Sequence, residues 1–312
     1  MLWLTWRQHR VPVLVTFGFL ALLGLLMLIN GLGAADLPRT GASGPEMMLD
    51  MTAQRQAEPL RSVLEFLILV PALIGLFWGA PLLGREFDRK TQLLAWTQSV
   101  SRGRWLAMKL ATLGTLVVVA GLIMGTMTSL WLDSYAGTQV DTRFSQVAPF
   151  TMSGIAPAGW WLFAFAVGVA SGALLRRTMP AIALTLAVFV IALIGVVGFA
   201  RDYYAPPLQD DGQGNADTLS GDVRSVGRTT IAPDGRELDA ADARYEQASV
   251  CPGKDQSLAG LECMKALGYR EIALYHPADR YWRFQWTEAG ALSVLAVGLG
   301  GFAVRRTVRQ RP

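Results

Sequence analysis

The chain has 312 residues, 52% of them apolar, with 28 Lys and Arg against 24 Asp and Glu and a net charge of +4. Such a balance is no evidence for a nucleic-acid partner, and with only two Cys and two His there is little to build a metal framework from. Composition does not separate a soluble core from a membrane protein, but run length does, because the hydrocarbon core takes about 20 apolar residues per helix.

The N-terminus, "MLWLTWRQHR", sets Leu2, Trp3 and Trp6 at helical spacing, with Arg7 and Arg10 following. Tryptophan favours the membrane interface, with its ring in the acyl boundary and its N–H in water. The pattern predicts a short amphipathic helix lying on the inner leaflet; a plain extension of the first span is the alternative. Six apolar runs follow: Val11–Gly31, Phe66–Gly84, Trp105–Leu132, Ala158–Leu175, Met179–Ala200 and Ala289–Val304. The first is too long for a signal-peptide core and five more come after it, which argues against a cleaved leader. Six spans are expected, with five or seven as alternatives.

Lys and Arg are retained on the cytoplasmic side. With the N-terminus inside, the inner segments hold 14 of the 28 basic residues and only two acids, Glu86 and Asp88, while the short outer loops carry Arg39, Arg55, Arg61 and Arg143. Both termini are therefore expected in the cytoplasm, in a multi-pass protein of the inner membrane. Arg176-Arg177 and Arg305-Arg306 read as headgroup anchors.

The domains read as a membrane part (1–200), an extracytoplasmic domain (201–287) and a sixth span with a basic tail (288–312). The fold class is mainly α: a polytopic membrane protein with six transmembrane helices, an N-terminal interfacial helix and a small α+β domain between helices 5 and 6. Within that domain "PPLQDDGQGNADTLSGD" reads as a loop, Asp234-Gly235 as a turn between short strands, and the stretch up to Leu267 as helical, with Gly268 as a stop before a β-like "REIALY". Both cysteines, Cys251 and Cys263, fall here. An oxidising compartment permits a disulfide, which would close a loop worth about 3 kcal/mol in the chain-entropy model; reduced thiols and, least favoured, a metal site are the alternatives.

"YHPADRYWRFQWTEAG" brings Tyr281, Trp282, Phe284 and Trp286 to the entry of the sixth span. Aromatic density of this kind marks the outer interface. It reads as an anchoring belt or, more specifically, as an outer gate. No Asp, Glu, Lys or Arg is expected deep in the bilayer, with Glu65 and Lys109 at the margins; this argues against ion- or proton-coupled transport. Asn30, Thr126, Thr128, Ser129, Ser171 and Thr185 read mostly as helix–helix contacts. Gly168 with Gly172, and Gly298 with Gly300 and Gly301, read as close-packing faces. The chain has no G-x-x-x-x-G-K-[ST], H-E-x-x-H or G-x-S-x-G, so neither a phosphate cradle nor a hydrolase motif.

One polar insert remains, "GREFDRKTQLLAWTQSVSRGRWLAMKL" from Gly84 to Leu110. It resembles the first cytoplasmic loop of ABC-2 type (type V) ABC transporter permeases. Arg85 and Glu86 match the opening pair, Thr91 the Thr, Leu94 the apolar position, Thr97 to Arg102 the Val-Ser-Arg region and Lys109 the closing Lys. Lys90 and Ser99 depart from the usual Gly and Pro. The wording of this loop, with "LWLTWRQHR" and "YHPADRYWRFQW", resembles an actinobacterial group of the family.

The resemblance implies a coupling helix, Gln92–Gln98 within the segment 85–104, seated in a cleft of a separate ATPase. Leu93, Leu94 and Trp96 would press on that partner, with Arg85, Glu86 and Arg102 setting register; a solvated loop is the alternative. It also implies two ABC ATPase subunits, a second permease half (identical or homologous) and surrounding membrane lipids. ATP and Mg would be bound by the partner, with no cofactor on this chain, which would itself be no enzyme. The expected function is ATP-driven export of an amphipathic substrate: a peptide antibiotic, a drug or a lipid-like compound. A membrane sensor or immunity protein and an integral membrane enzyme are the rival readings.

Overall fold

The computed structural model describes residues 2–35, 46–88, 102–138, 140–210, 222–252 and 258–309. The chain divides into two compact units: Met1–Arg201 with Trp282–Pro312, and Asp202–Tyr281.

The first unit is helical. Helix α1, Leu2–Ala35, runs unbroken for 34 residues with Pro12 inside it. The separate interfacial helix expected at the N-terminus is thus one piece with the first span. Arg and Gln are good helix formers, so the change from polar to apolar composition near residue 10 is no stop signal. At about 1.5 Å per residue the helix is longer than a hydrocarbon core about 30 Å thick.

The second span also departs from expectation. Helix α2, Glu46–Leu67, is followed by α3, Val70–Ile74, a π-helical turn at Gly75–Gly79 and α4, Ala80–Asp88. The stretches Met51–Leu67 and Val70–Gly84 meet at 44°. Pro71 brings no amide to the break, and turn bonds from Leu69 N to Phe66 O and from Ala72 N to Leu69 O carry the chain across it. The apolar run beginning at Phe66 is therefore half of a broken span. The polar stretch before it is helical because Ala53, Ala57, Leu60, Leu64 and Leu67, spaced alternately four and three apart, are all buried on one face.

Helix α5, Arg102–Asp133, carries buried Lys109, whose ammonium lies 4.3 Å from the centre of the Trp105 ring. The turn after it is pinned by Arg143, which donates to Asp133 at 2.7 Å and to Asp141 at 2.8 Å. Burial pulls the Arg143 guanidinium down, but hydrogen bonds to Asp141 and then Asp133 outweigh it and the net shift is upward. A short helix α6, Val147–Met152, leads into α7, Ala156–Leu175. Arg176 closes α7 in the left-handed conformation (φ 56°), its N–H donating to Gly172 O. Helix α8, Thr178–Gly195, follows at once, then a π-helical turn at Val196–Ala200 and a 3-10 turn at Arg201–Tyr203.

The second unit is a small antiparallel sheet with helices. Strands β1 (Leu208–Asp210), β2 (Arg224–Ile231), β3 (Glu237–Leu238) and β4 (Arg270–His276) lie in the order β1-β4-β2-β3. Leu208–Asp210, expected as loop, pairs with Ala273–Tyr275. The register of β2 against β4 slips between Ser225 and Gly227, leaving Val226 as a bulge. The turn expected at Asp234-Gly235 is present with Gly235 at φ 85°, and Gly268 at φ 87° ends a helix before β4 as expected. Helix α9, Ala240–Val250, is capped by Asp239, whose carboxylate accepts from the amides of Ala241 and Asp242, both at 2.8 Å. Cys251, just after α9, is disulfide-bonded to Cys263 in α10, Leu258–Ala266.

Helix α11, Tyr281–Val308, returns the chain to the first unit. Among the described residues five helices are long and apolar enough to cross a membrane, or six with the broken pair taken as one span.

Candidate functional site: a buried charge cluster and the polar segment between spans

Arg201 and Glu288 were placed by the apolar runs just outside spans five and six. The structure buries both completely, inside helical stretches that qualify as spans, Thr178–Tyr203 and Ala278–Val308. Both stand at the ends of the spans expected from sequence, where a solvated or headgroup-facing charge would be the simplest reading, yet they face the protein interior. Helical periodicity explains Glu288: with Tyr281, Phe284 and Gln285 it forms the buried face of the first turns of α11, while Trp282 and Trp286 are 55% and 67% exposed.

The pair is bidentate. Arg201 Nε donates to Glu288 Oε2 at 2.9 Å and Nη2 to Oε1 at 2.8 Å. Nη2 also donates to Thr151 Oγ1 at 3.1 Å, and Glu288 Oε1 accepts the Trp160 indole N–H at 2.8 Å. The guanidinium carbon lies 4.4 Å from the Phe150 ring centre, and Nη1 has no hydrogen-bond partner among the described residues. Removing two charges from water is costly, and their attraction offsets that cost only when the remaining lone pairs and protons are occupied. Here the protons of Nε and Nη2 and both carboxylate oxygens are engaged, and Nη1 is the exception.

Gln285, one turn before Glu288, completes the cluster. Its Oε1 accepts from the amides of Ile155 at 3.0 Å and Ala156 at 2.7 Å, and its Nε2 donates to Phe150 O at 2.9 Å. The first amides of a helix lack intrahelical acceptors, so α11 supplies the cap that α7 does not make for itself. Phe284 stacks edge-on to Phe144 with centroids 5.2 Å apart. Trp160 in turn meets Phe189 of α8 at 5.7 Å.

Chemically the cluster is a joint. The Glu288 carboxylate is engaged by Arg201 and Trp160, and no group of three or more metal-ligating side chains occurs among the described residues. The aromatic set singled out from sequence divides. Tyr281 and Phe284 are buried; Trp282 and Trp286 are exposed. Sequence reasoning missed Arg201, Glu288, Gln285 and Trp160. The available signal was an acid seven residues after Tyr281 and four after Phe284, on a face otherwise aromatic.

At the other end of α7 lies α4, from which the polar segment begins. Arg85 and Glu86 belong to α4, and Arg102 opens α5. Thr91, Leu93, Leu94 and Trp96, with the expected helix Gln92–Gln98, lie outside the described residues. So the segment leaves from the broken span and re-enters through α5.

A family model described as ABC-2 membrane transporter related matches residues 13–201, more than half of the chain. The chain belongs to this family. The family is that of the membrane transport component of ABC transporters, not itself catalytic, and it implies an ABC ATPase as partner in general. No curated protein and no solved structure matches the chain. The ABC-2 match encloses the polar segment and ends at Arg201. Glu288, which neutralises Arg201, therefore comes from outside the matched stretch.

Of the small and polar residues noted in the spans, several act across helices. Asn30 Nδ2 donates to Gln56 O at 2.9 Å, and Ser129 Oγ accepts from Gly154 N at 3.0 Å. Thr126 and Thr185 instead bond back to the carbonyls of Leu122 and Ala181 on their own helices. Gly168 and Gly172 face the backbone of the broken span, whereas Gly298, Gly300 and Gly301 meet no neighbour within 4 Å among the described residues.

Proposed function

We propose that this ABC-2 permease exports an amphipathic substrate, such as a peptide antibiotic, a drug or a lipid-like compound, and that residues 85–104 are its coupling segment. The observation that carries the reading is the place of that segment: inside the family match, between the broken second span and α5. Leu93, Leu94 and Trp96 would form the apolar contact with the ATPase. Arg85, Glu86, Thr91 and Arg102 would set its register, since rim charges contribute selectivity more than affinity. ATP and Mg would be held by the ATPase, present in two copies with a second permease half.

The basic residues of the inner segments support cytoplasmic termini in the inner membrane, with the sheet unit on the far side. An oxidising compartment there accords with the bonded Cys251 and Cys263. The exposure of Trp282 and Trp286 favours an interfacial belt for these two, and leaves the gating role to Tyr281 and Phe284.

Affinity purification in mild detergent tests this reading. The chain should bring down a Walker-motif ATPase, and Leu94→Asp combined with Trp96→Asp should release it, because the apolar contact would have to desolvate two charges. Retention of the ATPase and of transport by the inserted double variant would refute the coupling role.

A further inference from the structure

Helix α7 is the most enclosed of the apolar helices among the described residues. From its middle to its end near α4 it meets the broken span backbone to backbone. A Cβ on Gly75 would come within 2.5 Å of Ala164 O, and one on Gly79 within 2.5 Å of Phe165 O. From the opposite side, a Cβ on Gly172 would lie 2.7 Å from Ala80 O, and Gly168 stands directly against Gly75 and Ala80. Contacts of this kind have no side chain that can rotate aside, so neither helix can shift without the other.

At its first turns α7 is held as closely by α11. Trp160 donates to Glu288, Gln285 caps the amides of Ile155 and Ala156, and a Cβ on Gly159 would lie 2.8 Å from Ala289 Cα. Between the two ends α7 is a single helix of 20 residues, roughly 30 Å long. The competing route is α8, which runs toward Arg201 directly. It is interrupted just before Arg201 by the π-helical turn Val196–Ala200, which has no buried residue. Its side chains are at most partly buried, so it is packed less closely than α7.

We infer that α7 is a rigid strut carrying displacement of α4, where the broken span runs into residues 85–104, to the Arg201–Glu288 joint, with Trp160, Arg201 and Glu288 as positioning residues for transport. Arg201 is the last residue of the membrane unit before the sheet unit, and Glu288 lies in the first turns after the chain returns. Both attachment points are thereby tied to the strut. The mechanical half of the inference stands on packing alone; its functional half rests on the coupling reading above.

The test is 19F NMR of the full chain in nanodiscs, with 5-fluorotryptophan incorporated and the Trp78 and Trp160 resonances assigned by replacing each with Phe. Trp78 lies buried in the π-helical turn Gly75–Gly79 and reports the broken span; Trp160 reports the joint. Gly172→Ala forces the helices apart at the α4 end. A rigid strut shifts both resonances, while Gly298→Ala, in open space, shifts neither. A shift of Trp78 with Trp160 unmoved overturns the inference. Should Gly172→Ala fail to fold, Glu288→Gln reads the same link in reverse: Trp160 and Trp78 shift together, and a shift of Trp160 alone overturns it. With the co-purified ATPase and a non-hydrolysable ATP analogue, the wild-type Trp160 resonance should move. Absence of that movement alongside a positive Gly172→Ala result overturns the functional half alone.

Discussion

Arg201 and Glu288 stand 87 residues apart in the chain and form a fully buried ion pair through two hydrogen bonds of 2.8 and 2.9 Å. Removing one partner strands a charge in a low-dielectric interior. Arg201→Met alone should lower stability by about 3–5 kcal/mol, whereas Arg201→Met with Glu288→Gln, which keeps an acceptor for the Trp160 indole, should recover most of the loss. Thermal unfolding in detergent, followed by size-exclusion recovery, distinguishes the two. A double variant as unstable as the single would show that the pair is net stabilising rather than merely satisfied.

A second, half-buried joint ties α1, α2 and α5 together. Asn30 Nδ2 donates to Gln56 O at 2.9 Å, while its Oδ1 accepts from Trp131 Nε1 at 2.9 Å and from the Tyr135 hydroxyl at 2.7 Å. Burial alone pushes the Tyr135 hydroxyl's pKa upward. Asn30→Leu leaves two buried donors, the Trp131 indole N–H and the Tyr135 hydroxyl, without their acceptor, each worth roughly 1–3 kcal/mol when left unsatisfied. A loss of about 2 kcal/mol or more in thermal stability is expected, with altered tryptophan emission. An unchanged melting profile would show that these groups find other partners.

His276 makes the sheet unit sensitive to acid. Its Nε2 lies 3.1 Å from Asp202 O and its Nδ1 3.1 Å from Arg280 Nη1. The guanidinium can only donate and the carbonyl can only accept, so the ring is neutral with its proton on Nε2. Burial is the largest influence and lowers the pKa below 6.5; Asp202 O opposes it, and Arg280 and Arg224 reinforce it. A lowered folded value means that the unfolded chain binds the proton more readily. The stabilising effect is complete above about pH 6.5 and is lost as pH falls through that value toward the folded pKa. Amide exchange in Arg270–His276, corrected for intrinsic rates, should accelerate between pH 7.5 and 5 in wild type and change less in His276→Gln. Equal pH dependence in both would remove His276 as the cause.

Orientation is open to direct labelling. The only two cysteines are joined in the disulfide, so a new one stands alone as a target. Tyr245, 81% exposed on α9, replaced by Cys should react with an impermeant maleimide on intact cells. A cysteine at Thr91 should react only after lysis. The reverse pattern would invert the topology drawn from the Lys and Arg distribution.

Sequence alone pointed to a chain that crosses a membrane repeatedly, because successive apolar runs near 20 residues match the thickness of the hydrocarbon core. It also located the polar segment after Gly84 and the turns at Gly235 and Gly268, features carried by local chemistry: charge, and freedom at positive φ. Only the tertiary structure decided what α1 and α2 are. Continuity at Arg7–Pro12 and the break at Ile68–Leu69 depend on packing, not on where apolar composition begins. It alone also brought Arg201 to Glu288. Each looks like a span-end charge when read within its own helix. Their cost of burial is met by a partner 87 residues away and by Trp160 on a third helix, and local periodicity does not encode such a meeting.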